Sequence, residues 1–427
     1  MDKIAFPGRQ AARLLILAGL LFFVRGTGRA APVYEPGTAG GPPSSARSGH
    51  FEITFVSPSP NSPDMVDTLA RELELRFEVY RRLFRFDPSA AAFPLRVRVF
   101  TDKHLYDAYV LEGLGGTRPG AVYLHYNQPE RRELVIHRGS PEEGAALPHQ
   151  SFIQFLRAHI PNPPAWLQEG FAIYFSTLTF APPGEGGGEG ALRYEENLAW
   201  LETARNLGAE APSLKSLLEA DSGGGALTVN FKVASWALVS FFLAGGNEDY
   251  YRTLLESFMV LSPEASAADN GRAVMRRISL WTGFEALERD CGAYLRSRKT
   301  FAEFIGEGRR AYAAGDDMSA ELSFLGALNQ KPGHYAPYYY LGLIYYKEKN
   351  YEAAEEYYLS SLKYGAEEAL VYYALGINAY SGGRGADAKG WLEKAAAANP
   401  EKYGARTAEL LENLRGNHEP EDSSGGL

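Results

Sequence analysis

The residues best able to do chemistry lie in one stretch, 147–175, which reads LPHQSFIQFLRAHIPNPPAWLQEGFAIYF. Apolar spacing predicts two helices through it, over 143–160 and 164–178. His149, Ile153, Leu156 and Ile160 share one face of the first helix. Trp166, Glu169, Gly170 and Ile173 share one face of the second. An imidazole and a carboxylate, His149 and Glu169, therefore both point toward the core. A buried carboxylate needs a partner, and His149 is the natural one, so the spacing predicts a His–carboxylate pair packed against Ile153. The alternative is that the two side chains are half-buried and unrelated. Glu142 and Glu143 suit the positive end of the first helix. Other chemistry finds little support: the chain has no GxxxxGK phosphate loop and no GxSxG nucleophile elbow. Its single cysteine, Cys291, reads as a core thiol.

The elements that must position this stretch follow from pattern. Alternation predicts strands at 50–57, 95–100, 121–126 and 133–138. Helical spacing covers 63–86, with Met65, Leu69, Leu73, Phe77, Tyr80 and Leu83 as its apolar face. After a Gly-rich connector at 182–190, helices are expected over 192–207, 213–219, 229–244, 248–261, 269–279 and 283–300. The 229–244 segment is apolar, but short and interrupted by Lys232; it reads as a buried core helix rather than a membrane span.

The stretch 147–175 resembles the core of the gluzincin metallopeptidases, in a subgroup of exported domains often fused to helical repeats. The resemblance covers about residues 50–300. The second-helix pattern PxWLxEGxAxYF is present as Pro164, Trp166, Leu167, Glu169, Gly170, Ala172, Tyr174 and Phe175. In that family the first helix carries HExxH, whose two His bind zinc while the Glu activates the bound water, and the second helix supplies a Glu as third ligand. Here the first half is degenerate: His149 stands at the first ligand position, Gln150 replaces the general base and Ile153 replaces the second His. Gln has no proton affinity near neutral pH, and Ile cannot ligate. Two residual ligand candidates, His149 and Glu169, remain where catalytic zinc has three. His159 cannot fill in, because in a continuous helix it lies about 15 Å from His149. His125 and His137, on the preceding strands, read as structural or solvent-facing. The expectation is a domain with no catalytic residue and no cofactor; the alternative is an active zinc metallopeptidase using a substitute ligand and base.

The end of the chain repeats itself with a period of 34: Gly308, Gly342 and Gly376 align, as do Ala320, Ala354 and Ala388. Phe324, Tyr358 and Leu392 follow, then Ala327, Ser361 and Ala395, with Pro332, Ala366 and Pro400 near the ends. This resembles the tetratricopeptide repeat, two antiparallel helices per unit with a small residue where they cross. The units are 301–334, 335–368 and 369–402, followed by a cap helix at 403–414. The resemblance implies a concave groove lined by Ile305, Arg309 and Tyr312, by Tyr339, Leu343 and Tyr346, and by Tyr373, Ile377 and Tyr380. Tyrosine gives apolar area and a hydroxyl at low entropic cost, which suits protein or peptide binding. Stacked helices also need aromatic filler, and Tyr338, Tyr345, Tyr358 and Tyr372 read that way.

The whole is an α+β chain: a small strand layer with the helices of a gluzincin-like domain, then an all-α repeat solenoid. With 427 residues, 45% hydrophobic, it has material for two or three packed domains. A net charge of −9 and the absence of a Lys/Arg block argue against nucleic acid. One cysteine permits no internal disulfide. Lys3, Arg9 and Arg13, then the apolar run 14–24, then Gly28, Ala30 and Ala31 form the order of a signal peptide at 1–31. Residues 32–49 read as a flexible Pro/Gly/Ser linker, and 415–427 as a disordered tail. The expected place is the periplasm or cell envelope, with membrane attachment only if the leader stays uncleaved. The expected role is binding and scaffolding, with the repeat groove as peptide site and the old cleft as a second candidate. The other possibility is that the middle domain is a platform for the array.

Overall fold

The computed structural model describes residues 33–35, 44–56, 63–87, 91, 94–181, 191–220 and 227–416. The leader expected at 1–31, the connector at 182–190 and all but the start of the expected tail lie outside them. The described chain is α+β and divides into two units, one ending at Arg298 and the other beginning at Lys299.

In the first unit β3 (Phe51–Val56), β4 (Leu95–Phe100) and β6 (Glu133–His137) run parallel, and β5 (Ala121–Leu124) pairs antiparallel with β6 as the edge strand. The sheet also extends where a flexible linker was expected. β1 (Val33–Glu35) and β2 (Ser44–Arg47) pair antiparallel, and β2 continues onto β3 in the register Ala46↔Ile53. Ser44 and Ala46 are buried. Small polar-to-neutral residues can complete a sheet whose edge would otherwise leave β3 unpaired, and composition alone does not reveal that demand. Helix α1 (Pro63–Phe84) links β3 to β4. Helix α2 (Lys103–Leu114), which the sequence pattern does not predict, is capped by Asp102 accepting from the Leu105 N–H and by Gly115 at φ 67°. Only Tyr106 and Val110 of it are buried, so it has no apolar period to read.

Helices α3 (Glu143–His159) and α4 (Ala165–Phe175) form where expected. Every residue of α4 is buried. Rings from α1, α3 and α4 interlock: Tyr80–Phe152 at 5.3 Å, Tyr80–Phe175 at 4.8 Å and Phe84–Phe171 at 4.8 Å between centroids. A hairpin follows, β7 (Leu178–Ala181) with β8 (Ala191–Tyr194). It replaces the first residues of the helix expected at 192–207, because Asn197 caps the helix later, at α5 (Leu198–Asn206). The remainder is α6 (Leu214–Glu219), α7 (Val229–Ala244), α8 (Glu248–Phe258), α9 (Ala267–Trp281) and α10 (Phe284–Ser297). Helix α7 packs on α4 through Gly170: a Cβ there would lie 2.5 Å from the Ser235 carbonyl oxygen. Among the described residues no single helix is long and apolar enough to cross a membrane.

The second unit is a run of helices, α11 (Phe301–Ala314), α12 (Asp317–Gln330), α13 (Tyr335–Lys347), α14 (Tyr351–Lys363), α15 (Glu368–Ser381), α16 (Gly385–Ala398) and α17 (Pro400–Gly416). The packing repeats with the sequence. A Cβ at Gly308, Gly342 or Gly376 would meet Phe324, Tyr358 or Leu392 at 2.7, 2.5 and 2.6 Å. Ala320, Ala354 and Ala388 are each fully buried, as are Ala327, Ser361 and Ala395.

Candidate functional site

Helix α3 is fastened to the sheet by two glutamines one turn apart. Gln154 Nε2 donates to the Arg96 carbonyl of β4 at 2.8 Å. Gln150 Oε1 accepts from the Tyr123 N–H of the edge strand β5 at 2.9 Å. That second bond fixes more than position. A backbone N–H can only donate, so the Gln150 atom it meets is the oxygen, and the amide nitrogen faces the other way. It lies 3.0 Å from His149 Nδ1. An amide N–H2 can only donate, so His149 Nδ1 accepts, and the proton of the neutral imidazole sits on Nε2. Burial, the largest influence, holds the His149 pKa below its ordinary value; Glu169 pulls it up and Lys232 pushes it down. The neutral, Nε2-protonated form is therefore the resting form.

Glu169, on α4, is buried, with 8% of its surface exposed. The expected pair with His149 does not form: no hydrogen bond or ion pair joins them. The carboxylate instead accepts from Gln168 Nε2 at 3.2 Å and faces Lys232 Nζ of α7 at 3.8 Å. A flexible ammonium with an aqueous outlet satisfies a buried carboxylate better than an imidazole whose Nδ1 is already engaged. Gln168 Oε1 in turn accepts from Arg157 Nε at 2.6 Å. The cleft thus contains the row Arg157–Gln168–Glu169–Lys232 alongside the bridge Tyr123–Gln150–His149. Ile153 is buried on the same helix as His149.

The other sequence candidates fall as follows. His125 sits just past β5, with its ring 5.8 Å from that of Tyr123. Its Nδ1 is buried without a hydrogen-bond partner. Burial first, then Arg157 and Arg132, push its pKa down to about 4. His137 stacks on Tyr106 of α2 at 5.4 Å, among the residues on the opposite face of the sheet. His159 is buried, with Nδ1 2.9 Å from the Phe155 carbonyl oxygen and its ring against Phe155 and Phe86. Glu143 accepts from the Gly139 N–H at 2.8 Å, at the start of α3 as expected. Burial raises the Cys291 thiol to about 12, which makes it an inert core group. Among the described residues no group of three or more His, Cys, Asp or Glu side chains is placed to hold a metal ion.

These residues do not fit zinc. Of the two candidates the sequence offers, His149 has Nδ1 occupied as an acceptor and Nε2 protonated, and Glu169 already faces a cation. Sequence reasoning missed four members of the cleft: Tyr123 by its backbone, Arg157, Gln168 and Lys232. Lys232 carried a signal, since a lone charge inside an apolar helix requires a partner.

In the second unit the expected groove residues other than Arg309 are half-buried, and Arg309 is exposed. Tyr339 lies with its ring 5.9 Å from Tyr358, and Tyr373 5.0 Å from Tyr403. The Tyr346 hydroxyl is 3.0 Å from Ser381 Oγ. Burial raises Tyr339 to about 12, with Tyr403, Tyr340 and Tyr312 adding to the effect. Tyr345, read as filler, donates its hydroxyl to Glu321 at 2.6 Å.

No family model matches the chain, and no curated protein matches it.

Proposed function

We propose that this is an exported binding and scaffolding protein. In this reading a gluzincin-like domain without catalysis precedes a short tetratricopeptide solenoid, and the groove of that solenoid takes a protein or peptide. The observation that carries the non-catalytic reading is the double engagement of Gln150. At the position where the family places its base, this side chain ties His149 Nδ1 to the edge-strand backbone. It can take no proton from water, and it directs the protonated edge of the imidazole toward the place a metal would need a lone pair.

The groove reading is supported by the packing that recurs at the 34-residue spacing and by the half-buried tyrosines on α11, α13 and α15. A half-buried tyrosine keeps part of its ring and its hydroxyl for a partner. Replacing Tyr339 and Tyr373 by Ala is expected to weaken capture of a partner by a few kcal/mol while thermal stability changes little. Unfolding of the array by both changes would mean these rings are core. Export is tested by N-terminal sequencing of the secreted protein: a start near residue 31 is expected, and retention of Met1 in membranes would mean an anchor.

A further inference from the structure

Among the described residues the cleft holds more positive charge than negative. Glu169 is the carboxylate that acts on both His149 and Arg157, and Lys232, Arg157 and Arg132 all act on groups of the same cluster. Hydrogen-bond capacity is out of balance in the same direction. Lys232 Nζ lies 3.8 Å from Glu169, too far for a hydrogen bond, and its ammonium donates to no group among the described residues. The His149 Nε2–H, which the Gln150 bridge dictates, has no acceptor among the described residues. Lys232 keeps 40% of its side chain exposed, so this end of the cleft opens to solvent. Among the described residues these donors and cations belong to one cluster, and Glu169 is the one anion that acts on both His149 and Arg157.

From this we infer that the His149–Lys232 end of the cleft binds a carboxylate, held by Lys232 Nζ and His149 Nε2–H within the positive field of Arg157. One carboxylate oxygen accepts from the ammonium and the other from the imidazole, as charge-assisted hydrogen bonds. Glu169 is then a positioning residue: it holds Lys232 in place and competes with the incoming anion. The inference rests on the non-catalytic reading of the cleft, since a metal at His149 would need the lone pair that the proposal gives to a proton. The carboxylate can come from a peptide C-terminus or from an acidic side chain.

The test uses the full-length protein and three probes at constant ionic strength: N-acetyl-Ala-Ala with a free carboxylate, its C-terminal amide, and the N-acetyl-Asp-Ala amide. Binding is read by calorimetry and tryptophan fluorescence. We expect the free-carboxylate probe to bind and the plain amide not to. Response to the Asp probe would assign side-chain carboxylates to the site as well, and silence would restrict it to chain ends. Lys232→Met should weaken binding at least ten-fold, Lys232→Arg should keep it within a few-fold, and Glu169→Gln should strengthen it several-fold. Binding lost on Tyr339→Ala and kept on Lys232→Met would place the probe in the repeat groove and overturn the inference. Equal binding of acid and amide probes overturns the inference, as does a response that survives Lys232→Met or a weakening by Glu169→Gln. If none of the probes binds while the protein holds no zinc and cleaves no peptide, the inference falls and the non-catalytic reading stands. Stoichiometric zinc with cleavage removes both.

Discussion

The helix array and the cleft both bring two helices into close contact, but with different materials. In the array a glycine of one helix faces a bulky side chain of the next: Gly308 on Phe324, Gly342 on Tyr358, Gly376 on Leu392. Three different side chains fill the same place, because an apolar contact asks mainly for volume. In the cleft Gly170 brings α4 against the backbone of α7, and the surrounding contacts are polar and occur once: Gln150 to Tyr123 and His149, Glu169 to Lys232, Gln168 to Arg157. A directional network changes meaning with any single substitution. One region can drift in sequence and keep its packing. The other can keep its backbone and lose its chemistry.

The comparison is tested most severely at its two kinds of glycine. Gly170→Ala places a methyl against a backbone oxygen that cannot turn aside, and should cost about 3 kcal/mol. Gly342→Ala meets the face of a side-chain ring that can shift a little, and should cost about 1–2 kcal/mol after the gain in helix propensity. Equal costs, measured by urea unfolding, would remove the distinction. Next in size, Lys232→Met leaves the Glu169 carboxylate buried without its cation, for a loss of about 1–2 kcal/mol that partial exposure of the lysine keeps modest. The double variant Lys232→Met with Glu169→Gln should recover most of that loss. Additive losses would mean the two groups do not interact.

A smaller effect concerns acid. His125, His149 and His159 all have pKa values lowered first of all by burial, His125 to about 4. The unfolded chain takes up these protons near pH ~6.5, whereas the folded chain does not. Stability is therefore complete above that value and falls as pH drops from it toward 4. The array contributes His334 alone among the described histidines. Unfolding followed separately in the two units should show the acid sensitivity in the first. His125→Asn should flatten the dependence, and an unchanged profile would count against the buried neutral imidazole.

Much of this was readable from sequence where one residue's role is repeated or periodic. The alignment of Gly308 with Gly342 and Gly376 and of Ala320 with Ala354 and Ala388 marked the helix contacts, because each position has the same neighbour in every unit. Helices α3 and α4 were readable from apolar spacing. Helix α2 was not, since its Leu105, Leu111 and Leu114 face solvent and only Tyr106 and Val110 pack onto the sheet. Strands β1 and β2 were hidden in a Pro/Gly/Ser-rich segment whose pairing is set by the unfilled edge of β3. In the site, the two helices could be placed and the degeneracy of the motif seen. The partner of Glu169 could not, because Lys232 lies 63 positions further along and its reach depends on how α7 crosses α4.

The most direct test of the account is the zinc content of the purified full-length protein after incubation with zinc and dialysis. With His149 held as the Nε2–H tautomer and Glu169 facing Lys232, we predict far less than stoichiometric zinc. The variant Gln150→Glu with Ile153→His should gain zinc, and more so with Lys232→Met added, because the metal ligands are then complete and the competing cation is gone. Stoichiometric zinc in the natural protein, lost on His149→Ala, would contradict the account.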